Sequence, residues 1–397
     1  MELITKAIKG TQDILPKDSY KWKFIFDLIS NECENVGLRE IRTPVFEHTE
    51  LFQRSVGDAS DIVQKEMYTF NDKGGRSITL RPEGTAGTVR AILENGVYNE
   101  GLPLKVYYLD SCYRYEKPQA GRLREFHQFG VEVFGTDDPL ADAEIIVLAD
   151  SIFNRIGLKN ISLEINSIGC ADCRKEYYKA LKSYVKDFES KLCPTCIERM
   201  ERNPMRILDC KNDSCISIAK HAPMIIDFIC QDCKEHFELV KDYLSTLEID
   251  YKVNPRIVRG LDYYNRTVFE FVSSEIGSQG TVCGGGRYDT LVGELSGKQM
   301  PALGFGIGFE RLMLLIEKVG IALPMPKSCE LYVASIGEKA RKRAFKLVKE
   351  VRSASLSAEC DISNRSLKAQ MKYADKIKAK FSIVLGLICI IYFPLFT

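Results

Sequence analysis

Hydrophobic and polar positions recur along the chain with two different periods, and these periods predict a mixture of helices and strands. Apolar residues return at helical spacing over 19–36, and Gly37 marks the end of this predicted helix. Residues 77–93 read as strand, turn and helix, with Thr85 expected at the N-cap. The stretch 138–157 has the spacing of an amphipathic helix and starts at a proline.

Strand-like runs dominate the middle of the chain. Those at 105–116 and 125–135 are joined by the polar loop KPQAGRLR, which is the pattern of a hairpin with a longer loop. Two more lie at 256–273 and 281–292, and 302–320 reads as a glycine-rich strand that runs into an apolar helix. These runs predict an antiparallel sheet with flanking helices.

Two segments depart from this pattern. Between about 170 and 250, cysteine pairs alternate with charged helical stretches, so this region is predicted to be a helical insertion. After a proline-marked linker at 323–327, a strand followed by a helix predicts a small α/β unit. The predicted fold class is therefore α+β, with one domain over 1–325 that carries the insertion and a second over 326–397.

The sequence 381–397 is apolar to its last residue. We predict an ordinary buried strand at 381–386. The residues after it look unrelated to this strand, as a reading-frame shift or a truncated gene would produce. A tail anchor is the alternative, but the stretch is short for a membrane span and contains Gly386 and Pro394. We expect no association with a membrane.

Composition changes this picture little. A chain of 397 residues is too long for one hydrophobic core, and 45% hydrophobic with 27% charged residues is ordinary for a soluble protein. The net charge of +1 identifies no partner and leaves a local RNA-binding patch open. The N-terminal residues MELITKAIKGTQDILP have no apolar stretch of an export signal, so we expect a cytoplasmic protein with reduced cysteines.

Candidate catalytic and binding residues lie on the predicted hairpin. Arg114 and Glu116 stand two residues apart on the first strand and therefore point to one face, as do Gln128 and Glu132 on the second. A charged, solvated outer face is the alternative reading, because antiparallel sheets often have one.

Arginine and glycine recur together in later segments and favour a pocket. Arg259 precedes the glycine run 284–286, and the sequence GFGIGFER (304–311) ends with Arg311 at the start of a predicted helix. Glycines in strands usually mark the close approach of a ligand or another backbone, and arginine suits phosphate and carboxylate groups. We therefore predict a pocket on the sheet for an anionic, phosphorylated ligand, and the sequence contains no P-loop.

These segments resemble the three motifs of class II aminoacyl-tRNA synthetases. The first is EIRTPVFEHTELF (40–52), the second CYRYEKPQAGRLREFHQFGVEVFG (112–135) and the third ALGFGIGFERLML (302–314). The stretches RGLDYYNRTVFEF (259–271) and GGGRYD (284–289) resemble the two signatures of the histidyl-tRNA synthetase family, and KGTQDILP and TLRPEGTA fit the same family. The resemblance extends to about residue 385.

The resemblance implies activation of L-histidine by ATP with Mg²⁺, followed by transfer of the histidyl group to the 3′ end of tRNA(His). Arg114 should hold the α-phosphate, Glu116 the adenine amino group and Arg311 the γ-phosphate of ATP. Arg259 should lie between the histidine carboxylate and the α-phosphate, so that Arg259 and Arg114 are the expected catalytic residues.

The resemblance also implies the groups that select histidine. The substrate ammonium should meet Glu83, Thr85 and Gln128, and the imidazole should be surrounded by Glu132, Tyr263 and Tyr264. A carboxylate that accepts from imidazole N–H rejects apolar amino acids, because they would leave its buried charge unpaired. Ordinary core packing is the alternative role of the two tyrosines.

Expected macromolecular contacts follow from the same resemblance. Arg122 and Arg124 in the loop 117–124 should contact the acceptor end of tRNA, with an ordinary solvated loop as the alternative. The first motif implies a homodimer. The second domain resembles an α/β anticodon-binding domain that lacks its last strand and helix.

One departure from the family and one alternative function stay open. Asn265 and Arg266 stand where smaller residues are expected, and we expect both side chains to point outward. A non-catalytic, synthetase-like regulatory subunit of histidine biosynthesis is the alternative function, although the expected catalytic arginines are all present.

The insertion carries cysteines at spacings typical of zinc sites. The expected ligand set is Cys193, Cys196, Cys230 and Cys233, for a structural zinc ion. The alternative is that these cysteines bind no metal, because the implied catalysis needs no zinc.

Overall fold

The protein is described here by a computed structural model, which describes residues 4–57, 60–386 and 390–394. The chain divides into two compact units, Met1–Ala322 and Leu323–Thr397. The division falls at the proline-marked linker.

An eight-stranded sheet forms the centre of the N-terminal unit, with the strand order β1-β5-β6-β11-β10-β9-β7-β8. A separate three-stranded sheet has the order β2-β4-β3. The strands are β1 Arg39–Glu40, β2 Phe46–His48, β3 Tyr68–Asn71, β4 Ser77–Leu80, β5 Leu104–Tyr113, β6 Glu125–Phe134, β7 Ser162–Ser167, β8 Tyr251–Val253, β9 Asn265–Val272, β10 Thr281–Arg287 and β11 Ala302–Gly308. In the large sheet β1 pairs parallel with β5 and β7 with β8, and the other pairings are antiparallel. The predicted sheet and its β5–β6 hairpin are thus observed.

Helices flank the sheet and build the insertion between β7 and β8. They are α1 Pro16–Asn35, α2 Thr49–Val56, α3 Thr85–Glu94, α4 Pro139–Ile156, α5 Ala171–Lys186, α6 Pro194–Arg202, α7 Asp213–Ala219, α8 Gln231–Thr246, α9 Leu291–Ser296 and α10 Phe309–Val319. Local signals explain the bounds of α4. The Asp138 carboxylate accepts from the Leu140 amide at 2.8 Å, Pro139 occupies the first turn, and Gly157 ends the helix in the left-handed conformation.

The segment before β9 corrects a prediction. Residues 258–264 form a loop, and the strand begins only at Asn265. Asn265 is buried and its side-chain oxygen accepts from the Asp289 amide at 3.3 Å, so the expectation that it points outward is wrong. Arg266 takes a positive φ of 48°, and its amide donates to the Gly169 carbonyl at 2.9 Å. Arg266 lies at a register shift between β9 and β10, because Asn265 pairs with Arg287 whereas Val268 pairs with Gly286.

The cysteines of the insertion are grouped differently from the prediction. Cys193 and Cys196 lie with Cys210 and Cys215, whereas Cys230 and Cys233 lie with Cys170 and Cys173. The expected set is therefore divided between two clusters. The physical reason is that the beginnings of α5 and α8 meet at the root of the insertion, while α6 and α7 meet farther along it.

The C-terminal unit is a four-stranded sheet with two helices, as the α/β pattern predicted. Its strand order is β13-β12-β14-β15, with β12 parallel to β13 and β14 and with β15 antiparallel to β14. The elements are β12 Leu331–Ser335, α11 Glu338–Ser353, β13 Ala358–Cys360, α12 Leu367–Lys376, β14 Phe381–Leu385 and β15 Ile390–Pro394.

The apolar end of the sequence is only partly described. Its first strand is observed as β14, and the backbone of 390–394 pairs with that strand. The rest of the tail, 387–389 and 395–397, lies outside the described residues. Among the residues that are described, no helix is both long and apolar enough to span a bilayer.

Candidate active site

A cavity of about 250 Å³ opens above the centre of the large sheet, where β6, β11 and β10 lie side by side. It brings together residues of the predicted hairpin, of the segment TLRPEGTA and of the later segments that carry arginine and glycine. The predicted residues that line it are Glu83, Thr85, Arg114, Glu116, Arg122, Gln128, Glu132, Arg259, Tyr263, Tyr264 and Arg311. The polar face of the hairpin is therefore the floor of a pocket and not a solvated surface.

Glu132 occupies the deepest end of the cavity. It is 1% exposed, and its carboxylate accepts hydrogen bonds from Thr85 Oγ1 at 2.8 Å, from the Tyr108 hydroxyl at 3.0 Å and from the Tyr288 hydroxyl. Burial raises the pKa of Glu132 to about 8, against the opposing effect of the hydroxyl donors. The nearby Glu83 carboxylate raises it further. The site thus holds a carboxyl group ready to accept from a buried N–H donor.

Glycines of β11 make room for the polar side chains of β6. Gly304 pairs with Glu132 in the strand register, and a Cβ at Gly304 would collide with the Glu132 carboxylate and the Val131 carbonyl. A Cβ at Gly306 would come within 2.7 Å of the Gln128 amide nitrogen. The glycines that predicted close approach of a ligand therefore also leave space for the side chains of Glu132 and Gln128.

Glu83 caps the helix α3 instead of pointing freely into the cavity. Its carboxylate oxygens accept from the backbone amides of Thr85 at 2.7 Å and Ala86 at 2.9 Å. The predicted N-cap at Thr85 is thus displaced by one residue to Gly84, and the capping side chain is Glu83. Burial raises the pKa of Glu83, while the two amides act in the opposite direction. The cap fixes a second carboxyl group near Glu132.

Three tyrosines form one wall of the same end. The rings of Tyr263 and Tyr264 have centroids 4.8 Å apart, and Tyr263 lies 5.4 Å from Tyr288. Sequence reasoning missed Tyr288 and Tyr108. The available signals were the position of Tyr288 directly after GGGR and the alternation that places Tyr108 on the face of Arg114.

The opposite end of the cavity is positively charged. Arg114 Nε donates to the Pro82 carbonyl at 2.8 Å, and its guanidinium lies 5.1 Å from the centre of the Phe126 ring. Glu116 is buried and forms an ion pair with Arg122, which is 38% exposed at the rim. These contacts hold one guanidinium inside the pocket and leave a second at its mouth.

Arg311 comes from the first turns of α10 and completes this end. Its Nε donates to the Gly121 carbonyl and its Nη1 to the Thr281 carbonyl, both at 3.0 Å. Burial lowers the pKa of Arg311, and the neighbouring Arg122 and Arg114 lower it further. The mutual repulsion of these groups is the electrostatic signature of a site for a polyanion.

Arg259 lies between the two ends, on the loop before β9. It forms an ion pair with Glu270, and its guanidinium lies 5.3 Å from the centre of the Tyr264 ring. Burial disfavours its charge, but Tyr264 and Glu270 outweigh this and raise the pKa of Arg259. Gly284 faces this guanidinium so closely that a Cβ there would collide with it. The charge is therefore permanent and its place is fixed.

Side chains of the insertion form hydrogen bonds with the loop 258–264 that carries Arg259, and the sequence did not predict these contacts. Arg206 Nη1 donates to the Arg259 carbonyl at 3.1 Å, and Arg174 Nη1 donates to the Tyr264 carbonyl at 3.0 Å. Asn203 Nδ2 donates to Asp262 Oδ1 at 2.7 Å. The loop is thus positioned by groups 53 to 90 residues away in the chain.

Two further arginines, Arg124 and Arg287, lie outside the cavity lining and contact other protein groups. Arg124 lies outside the cavity lining, with its guanidinium 4.0 Å from the centre of the Tyr115 ring. Arg287 of the GGGRYD segment is completely buried and pairs with Asp142, with an Nη2–Oδ2 distance of 2.7 Å. Arg287 therefore fastens β10 to α4 and has no place in the cavity lining.

Both units of the chain are similar to known proteins. The family model for histidyl-tRNA synthetase matches residues 10–173 and 220–312. A second model, described as an anticodon binding domain, matches 330–387. The anticodon-binding domain is therefore present in the chain.

Individual relatives cover nearly the whole chain. The histidine–tRNA ligase of Acetivibrio thermocellus is 58% identical over 384 residues, which are 97% of this chain and 92% of that protein. A crystal structure of apo histidyl-tRNA synthetase from S. aureus is 39% identical, with a TM-score of 0.82 over 96% of this chain and 92% of that one. A structure from Bacillus halodurans, titled as an ATP phosphoribosyltransferase regulatory subunit/histidyl-tRNA synthetase, is 21% identical with a TM-score of 0.68, over 98% of this chain and 100% of that one. At that identity the likeness concerns the fold alone.

Proposed function

The chain belongs to the histidyl-tRNA synthetase family, and on this basis we propose how its own residues activate histidine. It is a class II aminoacyl-tRNA synthetase with histidine–tRNA ligase activity, which consumes ATP, histidine and tRNA. The regulatory-subunit alternative is set aside, because relatives more than half identical over nearly the full length are ligases.

The positive end of the cavity binds the triphosphate of ATP. Arg114 contacts the α-phosphate and Arg311 the γ-phosphate, while Glu116 accepts from the adenine amino group. Support comes from the burial of these groups in one pocket and from the mutual repulsion of the arginines, which a polyanion relieves. The backbone amides that begin α10 add a favourable dipole.

Arg259 is the catalytic residue of the first step. A carboxylate oxygen of histidine attacks the α-phosphorus, the bond to the β-phosphate oxygen breaks, and pyrophosphate leaves with the electron pair. Negative charge grows on the α-phosphoryl oxygens, and a fixed guanidinium stabilises it without reorganisation. The position of Arg259 between the carboxyl-lined and the arginine-lined ends supports this role. Arg114 assists from the other side.

The carboxyl-lined end selects histidine. Glu132 accepts from an imidazole N–H beside the rings of Tyr263 and Tyr264, and Glu83, Thr85 and Gln128 surround the substrate ammonium. The buried tyrosine hydroxyls orient the Glu132 carboxylate, and substrates without an N–H fail to form the additional hydrogen bond that imidazole provides. Because Glu83 already accepts from two helix amides, its contribution to ammonium binding is electrostatic.

Use of Mg²⁺ follows from the family, and the donor set at the positive end fits it. Glu310 lies in the cavity lining beside Arg311, and carboxylate oxygens are donors that Mg²⁺ accepts together with phosphate oxygens. Glu310 would hold the ion there, and the ion would neutralise phosphate charge. Glu310 itself accepts from the His127 amide at 2.9 Å, which fixes its orientation.

Contacts with tRNA(His) involve two regions. Arg122 at the rim of the cavity contacts the acceptor end, for which its exposure and its place beside the ATP site are the support. Arg124 contributes through its exposed loop, although its stacking on Tyr115 restricts its reach. The C-terminal unit binds the anticodon, in keeping with the family model that it matches.

The protein acts as a cytoplasmic homodimer. The first motif includes β2, whose Phe46 side chain is 55% exposed, and the neighbouring Val45 and Phe70 are exposed as well. Exposed apolar side chains concentrated on one small sheet support a protein interface. The cytoplasmic location is supported by the described cysteines, among which the structure has no disulfide.

The observation that carries the proposal is the convergence of Arg114, Arg259 and Arg311 on one cavity with the buried Glu132. The test is histidine-dependent exchange of pyrophosphate into ATP. Arg259→Gln should lower kcat about 10²- to 10³-fold with little change in the KM for ATP, because the lost interaction belongs to the transition state. The matched control is Arg155→Gln, which removes an exposed guanidinium that pairs only with Glu32 among its described salt bridges. Full exchange activity in Arg259→Gln would contradict the assignment.

A further inference from the structure

We propose that the insertion folds around two structural zinc ions, each bound by four cysteine thiolates. This inference goes beyond the synthetase activity, in which these side chains have no part. The first site consists of Cys170, Cys173, Cys230 and Cys233, and the second of Cys193, Cys196, Cys210 and Cys215.

The sulfur positions are those of a tetrahedral site for one ion. All four Sγ atoms of each cluster lie within 4.8 Å of one another. In the first cluster Cys173 Sγ lies 3.5 Å from Cys170 Sγ and 3.9 Å from Cys233 Sγ, and in the second Cys193 and Cys210 are 3.8 Å apart. Zinc–sulfur bonds of about 2.3 Å in a tetrahedron place the sulfurs about 3.8 Å apart. Disulfides, at about 2.05 Å, do not fit this spacing.

The backbone around the cysteines is also suited to thiolates. Cys170, Cys193 and Cys230 are each the N-cap of a helix, and the second cysteine of each CxxC pair lies in the first turn, where the helix dipole favours negative charge. The Cys230 amide donates to Cys173 Sγ at 3.1 Å. The Cys193 amide donates to Cys215 Sγ at 3.3 Å. Each cluster thus contains a sulfur that accepts from a backbone amide of a partner cysteine.

A closed set of four sulfurs favours zinc in a structural role. Tetrahedral sulfur coordination is typical of zinc or of iron–sulfur centres, and the cysteines of a polynuclear cluster would be spread around the inorganic core rather than packed within 4.8 Å. No coordination position is left for a substrate, so these ions supply no chemistry.

The two sites lie where they hold the insertion against the catalytic loop. The first joins Cys173 to Cys233, 60 residues apart, and stands next to Gly169, whose carbonyl accepts from the Arg266 amide. The second fixes the beginning of α6, and this helix leads directly to Asn203 and Arg206, which bind the loop 258–264. Zinc therefore maintains the insertion side chains that position Arg259.

Metal analysis of the purified full chain tests the proposal. Two zinc ions per chain are expected in the unaltered protein, and one in each of Cys196→Ser and Cys233→Ser. Cys329→Ser, which replaces a buried cysteine of the C-terminal unit, should retain two. No stoichiometric metal, or stoichiometric iron in place of zinc, would overturn the assignment, and a single zinc ion would overturn one of the two sites.

A second measurement does not depend on the folding of the variants. X-ray absorption at the zinc edge of the unaltered protein should show four sulfur neighbours at about 2.3 Å. Nitrogen or oxygen neighbours would contradict the cysteine assignment. Both measurements are independent of pyrophosphate exchange, so failure of the zinc proposal and failure of the catalytic proposal are distinguishable.

Discussion

Replacement of Glu132 by glutamine should stabilise the protein while it damages histidine binding. The carboxyl group has a pKa raised from its ordinary 4.5 to about 8 by burial. A group whose pKa is higher in the folded state contributes stability that is complete below the unfolded value and is lost as the pH rises to the folded value. Wild-type stability should therefore fall between pH 4.5 and 8 on account of Glu132.

The magnitude follows from the difference between these pKa values. At 1.36 kcal/mol per pH unit, the full loss is about 5 kcal/mol above pH 8 and about 3 kcal/mol at pH 7. At pH 5 it is below about 1 kcal/mol. An amide does not titrate, and its oxygen can accept from the hydroxyls that bind Glu132. Glu132→Gln should thus gain about 3 kcal/mol at pH 7 and almost nothing at pH 5.

Urea unfolding at pH 5, 7 and 8 measures this effect. The protein has one tryptophan, and Trp22 packs on Phe309 and His127 with ring centroids 4.8 and 5.1 Å away, so its fluorescence reports on the N-terminal unit. Glu100→Gln, at an exposed position, is the matched control and should show no such pH dependence. A stability difference for Glu132→Gln that is equal at pH 5 and 8, or a loss at both, would refute the reasoning.

The same variant has a functional consequence. Above pH 8, where the Glu132 carboxyl group is ionised, loss of this charged acceptor for the imidazole N–H should weaken histidine binding by about 1.5–3 kcal/mol, which is a 10- to 150-fold rise in its KM. The KM for ATP should stay nearly constant, because Glu132 lies at the other end of the cavity. An unchanged histidine KM would show that the imidazole is bound elsewhere.

Three further outcomes are expected. Gly284→Ala should lower kcat for pyrophosphate exchange about 10²-fold at normal stability, because its methyl group displaces the Arg259 guanidinium; normal kcat would contradict this. Arg287→Ala should cost about 3–5 kcal/mol in urea unfolding, since it leaves the buried Asp142 with only the His236 ring, 3.2 Å away, as its described side-chain partner; a loss below about 1 kcal/mol would show that His236 alone satisfies Asp142. Phe46→Asp should convert the proposed homodimer to a monomer in light scattering, and a dimer that persists in this variant would place the interface elsewhere.

Local sequence patterns predicted many residues of the candidate active site. The two-residue alternation predicted for the hairpin placed Arg114, Gln128 and Glu132 on one face. The structure brings them to one cavity, although Arg114 lies just beyond the end of β5. The glycines of β11 likewise marked where side chains cross the sheet. These features follow from the two-residue period of a strand, which depends only on neighbouring residues.

Other features of the site could not be predicted from any single segment of the sequence. The loop that carries Arg259 read as a strand, because its valine and tyrosines have high strand propensity, yet Arg174 and Arg206 of the insertion hold it open. Tyr288 was missed because its partner Glu132 lies 156 residues away in the sequence.

The sequence by itself determined the elements, the family and the identity of the charged groups, because periodicity, turn residues and long motifs are written in short stretches of chain. Only the tertiary structure decided which distant stretches meet. Four cysteine pairs, three of them with CxxC spacing, could join in several ways, and the packing of helix ends alone divided them into two clusters. Contacts between residues far apart in the chain depend on the summed burial of the whole unit, and no local spacing encodes that sum.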